Sequence, residues 1–310
     1  MTRRRGGAPA SGRTRWYLAI AAVAGVALFV WTIVWVGPRE IIAQLRELAS
    51  VLPLILGLAA VRFWCQAAGW RLAMRASQRP PWSTTFAAVV AGEAAGYFAW
   101  GPVSREPLKA LLVRHHVPER AGLGAAIVER AFYGAAAAAL ILIAIGLAAL
   151  RYHFVGRVLI GLAITTGVAL VANRYRKRFA GARRYRRCTV VGLAGVAAAQ
   201  ELTNLVEAYL VLAWLGAAPT LWSVVVLEGV SRLMNSAGQF IPGKLGVTEA
   251  VTAAVAESLR LGGTHGLSLA LARRARSLAW GAIGVGLLVY RAADGLAISR
   301  PHAEHIRVCV

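Results

Sequence analysis

The sequence predicts an all-α fold: a polytopic helical membrane protein of about seven or eight transmembrane helices, with re-entrant or broken helical elements in each half. Three observations predict it. Of the 310 residues, 58% are hydrophobic and 15% charged, with a mean hydropathy of +0.59. Soluble domains are about half apolar and about a quarter charged. Apolar runs long enough to cross a bilayer recur along the chain, each near the roughly 20 residues that a membrane helix needs. The formal charge of +22 is placed largely between those runs, as membrane topology requires, not on one water-facing surface as nucleic-acid binding would require. Nucleic acid is therefore not an expected partner.

The spans predicted by length are 16–36, 51–73, 121–150, 154–172, 189–215 and 219–241, with a long helix over about 265–290. The first run exceeds the usual 7–15 apolar residues of a secretory signal and reads as a retained helix. The twin arginines of "TRRRGG" lack the apolar neighbours of an export motif. Residues 83–118, interrupted by Glu93 and closed by Gly101 and Pro102, do not fit the ruler, nor does the break at "FIPGKLGVTE", residues 240–249. Short loops rich in Lys and Arg stay in the cytoplasm. The basic loop 173–187, the N-terminal tail and the cluster Arg71, Arg75 and Arg79 are assigned there. Alternate crossings then balance only if 83–118 enters and leaves on the cytoplasmic side as a re-entrant hairpin. A short crossing over 247–260 puts the C-terminus in the cytoplasm, so the plasma membrane holds residues 16–291 between cytoplasmic tails 1–15 and 292–310. None of the polar stretches is long enough to bury a core of its own.

Polar residues inside apolar helices carry the functional reading, because intramembrane ionisable groups are costly and usually face a bundle interior or cavity. Glu228, Arg232 and Asn235 fall at i, i+4 and i+7, one stripe on which an internal ion pair capped by an amide is expected. Gln200, Glu201, Asn204 and Glu207 share a broad face of the preceding helix. Two acids without a base on their own helix want a cation from elsewhere, with Arg273, Arg274, Arg276 or Arg130 as candidates. Arginines near helix ends can also simply snorkel to the headgroups. Arg105, Glu106 and Lys109 follow Pro102, where a proline-started helix offers free N–H groups to an anion. The plainer alternative is an ordinary helix start at the membrane surface with Lys109 in water. Pro242, Gly243 and Gly246 unwind the chain, either at membrane depth facing a polar cavity or as an interfacial loop. Pro/Gly-interrupted segments in both halves point to a central binding site in transporters.

The adjacent histidines of "RHH", 114–116, lack a carboxylate at ligand spacing, and Cys65, Cys188 and Cys309 form no metal or disulfide pattern. No P-loop, nucleophile elbow, dinucleotide fingerprint or zinc-protease motif appears, so neither an enzyme nor a cofactor is expected.

"GPVSREPLK", "AAIVERAFY", "NSAGQFIPGKLGVTEA" and "RSLAWGAIG" together resemble the lysylphosphatidylglycerol synthase transmembrane region family of flippase-like proteins, over about residues 50–290. Pro242, Gly243, Gly246 and Glu249 match its proline, glycine, glycine and glutamate, Glu129 and Arg130 its Glu-Arg pair, and Arg276 with Trp280 its final helix. Arg105 stands where a glycine is usual, and Tyr133 where an aspartate often follows the pair. The resemblance implies a stand-alone member without the aminoacyltransferase domain, moving a polar or anionic-headgroup lipid between leaflets. Its cargo would be a phospholipid, glycolipid or hopanoid. Motif matches and helical spacing together make the residues expected to meet the headgroup Glu106, Lys109, Glu129, Arg130, Glu228, Arg232, Asn235, Pro242, Gly243, Gly246 and Glu249. An intramembrane transferase with Glu249 or Glu228 as base, and a non-transporting partner of a lipid-synthesis complex, are the alternatives; a homo-oligomer is also compatible.

Overall fold

A computed structural model describes residues 49–98, 102–149, 185–237 and 247–297. Within them the chain forms eight α-helices: α1 (Leu52–Ala73), α2 (Trp82–Phe98), α3 (Pro102–Leu112), α4 (Glu119–Ala149), α5 (Arg187–Trp214), α6 (Leu221–Ala237), α7 (Val247–Ser258) and α8 (Gly263–Ala297). The protein is an all-helical membrane protein. Helices α1, α4 and α5 are long and apolar enough to cross a bilayer by length and composition, matching the spans expected at 51–73, 121–150 and 189–215. The spans expected at 16–36 and 154–172 lie outside the described residues, as does the Pro-Gly break at 242–246. Helix α8 has 35 residues, about 52 Å at 1.5 Å per residue, and its arginines lower its hydropathy.

Helices α2 and α3 form a hairpin. Position 92 faces Lys109, and position 96 faces Arg105, so the two helices run antiparallel. With 17 and 11 residues they reach about 25 Å and about 16 Å, short of the roughly 30 Å hydrocarbon core. Pro102 occupies the first position of α3, where its missing N–H would be unbonded anyway. Gly216, at φ +83°, takes the left-handed conformation that closes α5, and the N–H of Ala217 returns to the Leu212 carbonyl at 3.1 Å.

Two apolar cores hold the bundle. One joins Phe63, Ala67 and Trp70 of α1 to Val89 of α2, Ala125 and Ala126 of α4, and Leu193 and Ala197 of α5. The other joins Ile55, Val211, Leu212, Leu227 and Leu269, drawn from α1, α5, α6 and α8. At the first core's end of the bundle, the Trp70 indole donates to the Gly122 carbonyl at 3.0 Å, and the Tyr185 hydroxyl donates to the Ala73 carbonyl at 2.9 Å. The second bond brings the end of the basic loop before α5 beside the Arg71 to Arg79 cluster. Arg79 itself bonds the Arg71 carbonyl at 3.0 Å, and Arg71 lies 4.4 Å from the Trp82 ring centre.

Seams between helices are cut close by glycine. A Cβ at Gly229 of α6 would stand 2.1 Å from the Ala144 Cβ of α4, and one at Gly284 of α8 would stand 2.7 Å from the Val90 carbonyl oxygen of α2. Small residues at such crossings let backbones approach where lipid gives no hydrophobic drive to association.

Candidate functional site

Lys109 lies on the face of α3 turned to α2 and is 0% exposed. A charged residue at the centre of a membrane helix costs about 2.5–3.5 kcal/mol on insertion scales, so its surroundings have to compensate. Glu106, one turn earlier, brings a carboxylate oxygen within 2.7 Å of Nζ. The Trp70 ring lies 5.5 Å away and adds a cation–π contact. The absence of a side chain at Gly92 makes the space: a Cβ there would meet the Lys109 Cγ at 2.4 Å. Gly92→Ala is therefore expected to expel the Lys109 stem and lower the melting temperature of the solubilised protein, whereas Gly57→Ala, with nothing within 4 Å, leaves it unchanged.

One turn along the hairpin, Arg105 pairs with Glu93 at 2.8 Å, and the Gln66 amide donates to the same carboxylate oxygen at 3.0 Å. Gly96 leaves room for that guanidinium, because a Cβ there would stand 2.7 Å from the Arg105 Nε. Helix α4 contributes Glu129, packed toward Gly69 and 2% exposed, with neither carboxylate oxygen hydrogen-bonded among the described residues. Its neighbour Arg130 lies 4.9 Å from the centre of the Tyr133 ring.

Tyr133 joins this cluster to a second. Its hydroxyl accepts from the Arg232 guanidinium of α6 at 2.5 Å, and Arg232 also pairs with Glu201 of α5 at 2.9 Å. Arg273 of α8 pairs with Glu228 and, at 3.4 Å, with Glu207, while Arg276 pairs with the other oxygen of Glu207. Five helices are thus tied by charges inside the bundle. Between α1, α2 and α8 a cavity of about 40 Å³ is lined by Arg62, Phe63, Glu93, Tyr97, Arg276, Ser277 and Trp280, among others.

The arrangement corrects three expectations. Glu228 and Arg232 share a stripe of α6, but their ion pairs run outward to α8 and α5, because acids and bases on those helices approach the same stripe. Lys109 is not at a watery helix start but fully enclosed. Arg130 is no partner of Glu201 or Glu207, whose cations are Arg232, Arg273 and Arg276. Arg273 and Arg276 thus face the bundle, not the headgroups. Asn204 donates to the Gln200 carbonyl of its own helix at 2.8 Å.

Glu106, Lys109, Glu129, Arg130, Glu228 and Arg232 are brought into this connected interior. Pro242, Gly243 and Gly246 lie outside the described residues, and Asn235 and Glu249 lie on α6 and α7 with their side chains outside them. Sequence reasoning missed Arg62, Gln66, Glu93 and Tyr133 as members. Arg62 and Gln66 are four residues apart in an apolar span, the same signal that singled out α6.

Fold and site define a class: a helical integral membrane protein with a buried network of ion pairs spread over several helices. A family model for the lysylphosphatidylglycerol synthase TM region matches residues 19–286, and the chain belongs to that family. No curated protein and no solved structure matches it.

Proposed function

We propose that this protein moves a polar or anionic-headgroup lipid between leaflets, the headgroup crossing along the buried charges while the tails remain in the bilayer. One observation carries the reading: Glu106, Lys109, Glu129, Glu201, Glu207, Glu228 and Arg276 are all buried inside a membrane bundle. Stability alone explains such a set poorly, since buried ion pairs are often no more stabilising than apolar residues of similar volume. The family's relation to lysylphosphatidylglycerol favours a lipid as the ligand. In this reading α2–α3 is a re-entrant hairpin, in keeping with its two short helices and its antiparallel register. The end of the bundle carrying Arg71, Arg75, Arg79 and Arg186 faces the cytoplasm, in keeping with the Tyr185 bond that draws those basic segments together.

The test removes the hairpin's ion pair without removing its volume. In proteoliposomes with lipid labelled in one leaflet, the wild-type protein is expected to accelerate exchange. The double variant Lys109→Met/Glu106→Gln is expected to fold and lose at least tenfold in rate. Wild-type protein that moves none of a broad lipid panel overturns the proposal, as does a well-folded double variant with full activity. New product formed from a lipid-linked donor assigns the site to a transferase instead.

A further inference from the structure

The strongest unassigned feature is the cavity between α1, α2 and α8, and the cation it contains that no motif flagged. Arg62 is at residue 62 of a helix running from Leu52 to Ala73, roughly 15 Å from either end at 1.5 Å per residue. That depth separates it from the headgroup layers into which arginines usually snorkel. Among the described residues no carboxylate lies within ion-pair distance of it; its contact is the Phe63 ring, 5.0 Å from the guanidinium carbon. The other arginine that lines this cavity and the arginine paired with Glu93 each have an acid. Arg105 has Glu93, and Arg276 has Glu207. Arg276 still keeps a buried Nε–H without an acceptor, and it lines the same cavity as Arg62.

The acid in the cavity wall does not balance this. The Glu93 carboxylate oxygen that faces the hairpin already accepts from both Gln66 and Arg105. The cavity wall thus carries two guanidiniums against one carboxylate, and that carboxylate already has Arg105 as its cation. Its volume of about 40 Å³ holds about three waters at roughly 10–15 Å³ each, enough for the two non-ester oxygens of a phosphodiester. Guanidinium is the side chain whose planar fork of donors fits a phosphate.

We infer that Arg62 and Arg276 form a subsite for the phosphate of a membrane lipid whose headgroup carries no cation. The inference deepens the proposed translocation by naming the group recognised. Trp280 and Phe63, in contact at 5.0 Å between ring centres, wall the cavity on its apolar side, where the first carbons of the lipid would sit.

The test is retention of lipid by the purified full-length protein, read by native mass spectrometry and by thermal protection in detergent. Three lipids with the same tails are compared: phosphatidylglycerol, phosphatidylethanolamine and diacylglycerol, with inorganic phosphate as the free-ion arm. Phosphatidylglycerol is expected to bind at least tenfold more tightly than diacylglycerol and more tightly than phosphatidylethanolamine. Arg62→Gln is expected to remove that tenfold advantage with the lipid-free melting temperature unchanged, and Arg62→Lys to restore part of it. Should Arg62→Gln fail to fold, a phosphatidylglycerol preference reduced but not abolished in Arg62→Lys serves instead. Equal retention of diacylglycerol overturns the subsite, as do a preference for phosphatidylethanolamine and a full preference kept by the Arg62 variants. Inorganic phosphate protecting as well as phosphatidylglycerol overturns the lipid assignment. Because the readout is binding, a failure here is distinct from a failure of lipid movement in the Lys109→Met/Glu106→Gln experiment.

Discussion

Arg273→Ala is expected to destabilise the solubilised protein by about 3–5 kcal/mol, the usual cost of stripping one partner from a buried ion pair. The guanidinium meets carboxylates from two different helices, Glu228 of α6 and Glu207 of α5. Removing it leaves Glu228 enclosed with no ion-pair partner among the described residues, while Glu207 keeps Arg276. The damage should therefore concentrate on Glu228. Adding Glu228→Gln to Arg273→Ala removes the stranded charge and is expected to recover a large part of the loss. Thermal unfolding of the two single variants and the double variant gives the coupling energy directly. Purely additive losses would show that the pair is not energetically linked. Arg273→Lys is expected to recover less than the double variant, because an ammonium is a point charge and cannot reach two acids with a planar fork.

The second large effect is steric. In Gly229→Ala the new methyl would start 2.1 Å from the Ala144 Cβ, and neither partner has a rotamer with which to evade. The only relief is separation of α6 from α4 over more than an ångström. Overpacking of a tight core costs about 1–3 kcal/mol and occasionally more, and here the displaced helix also carries Glu228 and Arg232. A marked loss of monodisperse protein on size-exclusion after mild heating is expected. Gly146→Ala, on the same α4 with nothing within 4 Å, should behave as wild type. If both variants behave alike, the close seam is not a determinant of stability.

The sequence made the spans legible where hydropathy dominates, as in α1, α4 and α5, because length and composition alone settle what crosses hydrocarbon. It also singled out most acids and bases of the interior, since a charge in an apolar run is rare enough to stand out. Pairing was not legible. The i, i+4 spacing of Glu228 and Arg232 suggested a local pair, but which acid meets which base depends on the rotation of neighbouring helices, and one sequence carries little about that. The two departures from the family pattern show the same limit. Arg105 looks like misplaced bulk until Gly96 and Glu93 are seen to receive it. Tyr133 looks like a missing carboxylate until its hydroxyl is seen bonded to Arg232 and its ring facing Arg130. Arg62 was overlooked although Gln66 stands one turn on, because neither is an acid and the run holds no ion pair of its own.

The hairpin of α2 and α3 bears on how the molecule is assembled. The shorter arm, with 11 residues, is not long enough to be threaded through hydrocarbon by itself, and it brings Arg105, Glu106 and Lys109 with it. Those charges are met inside the hairpin, Arg105 by Glu93 and Lys109 by Glu106, while α1 adds the Gln66 bond to Glu93 and the Trp70 ring beside Lys109. The hairpin is therefore expected to assemble as one unit, its charges cancelled in pairs before it docks against α1 and α4.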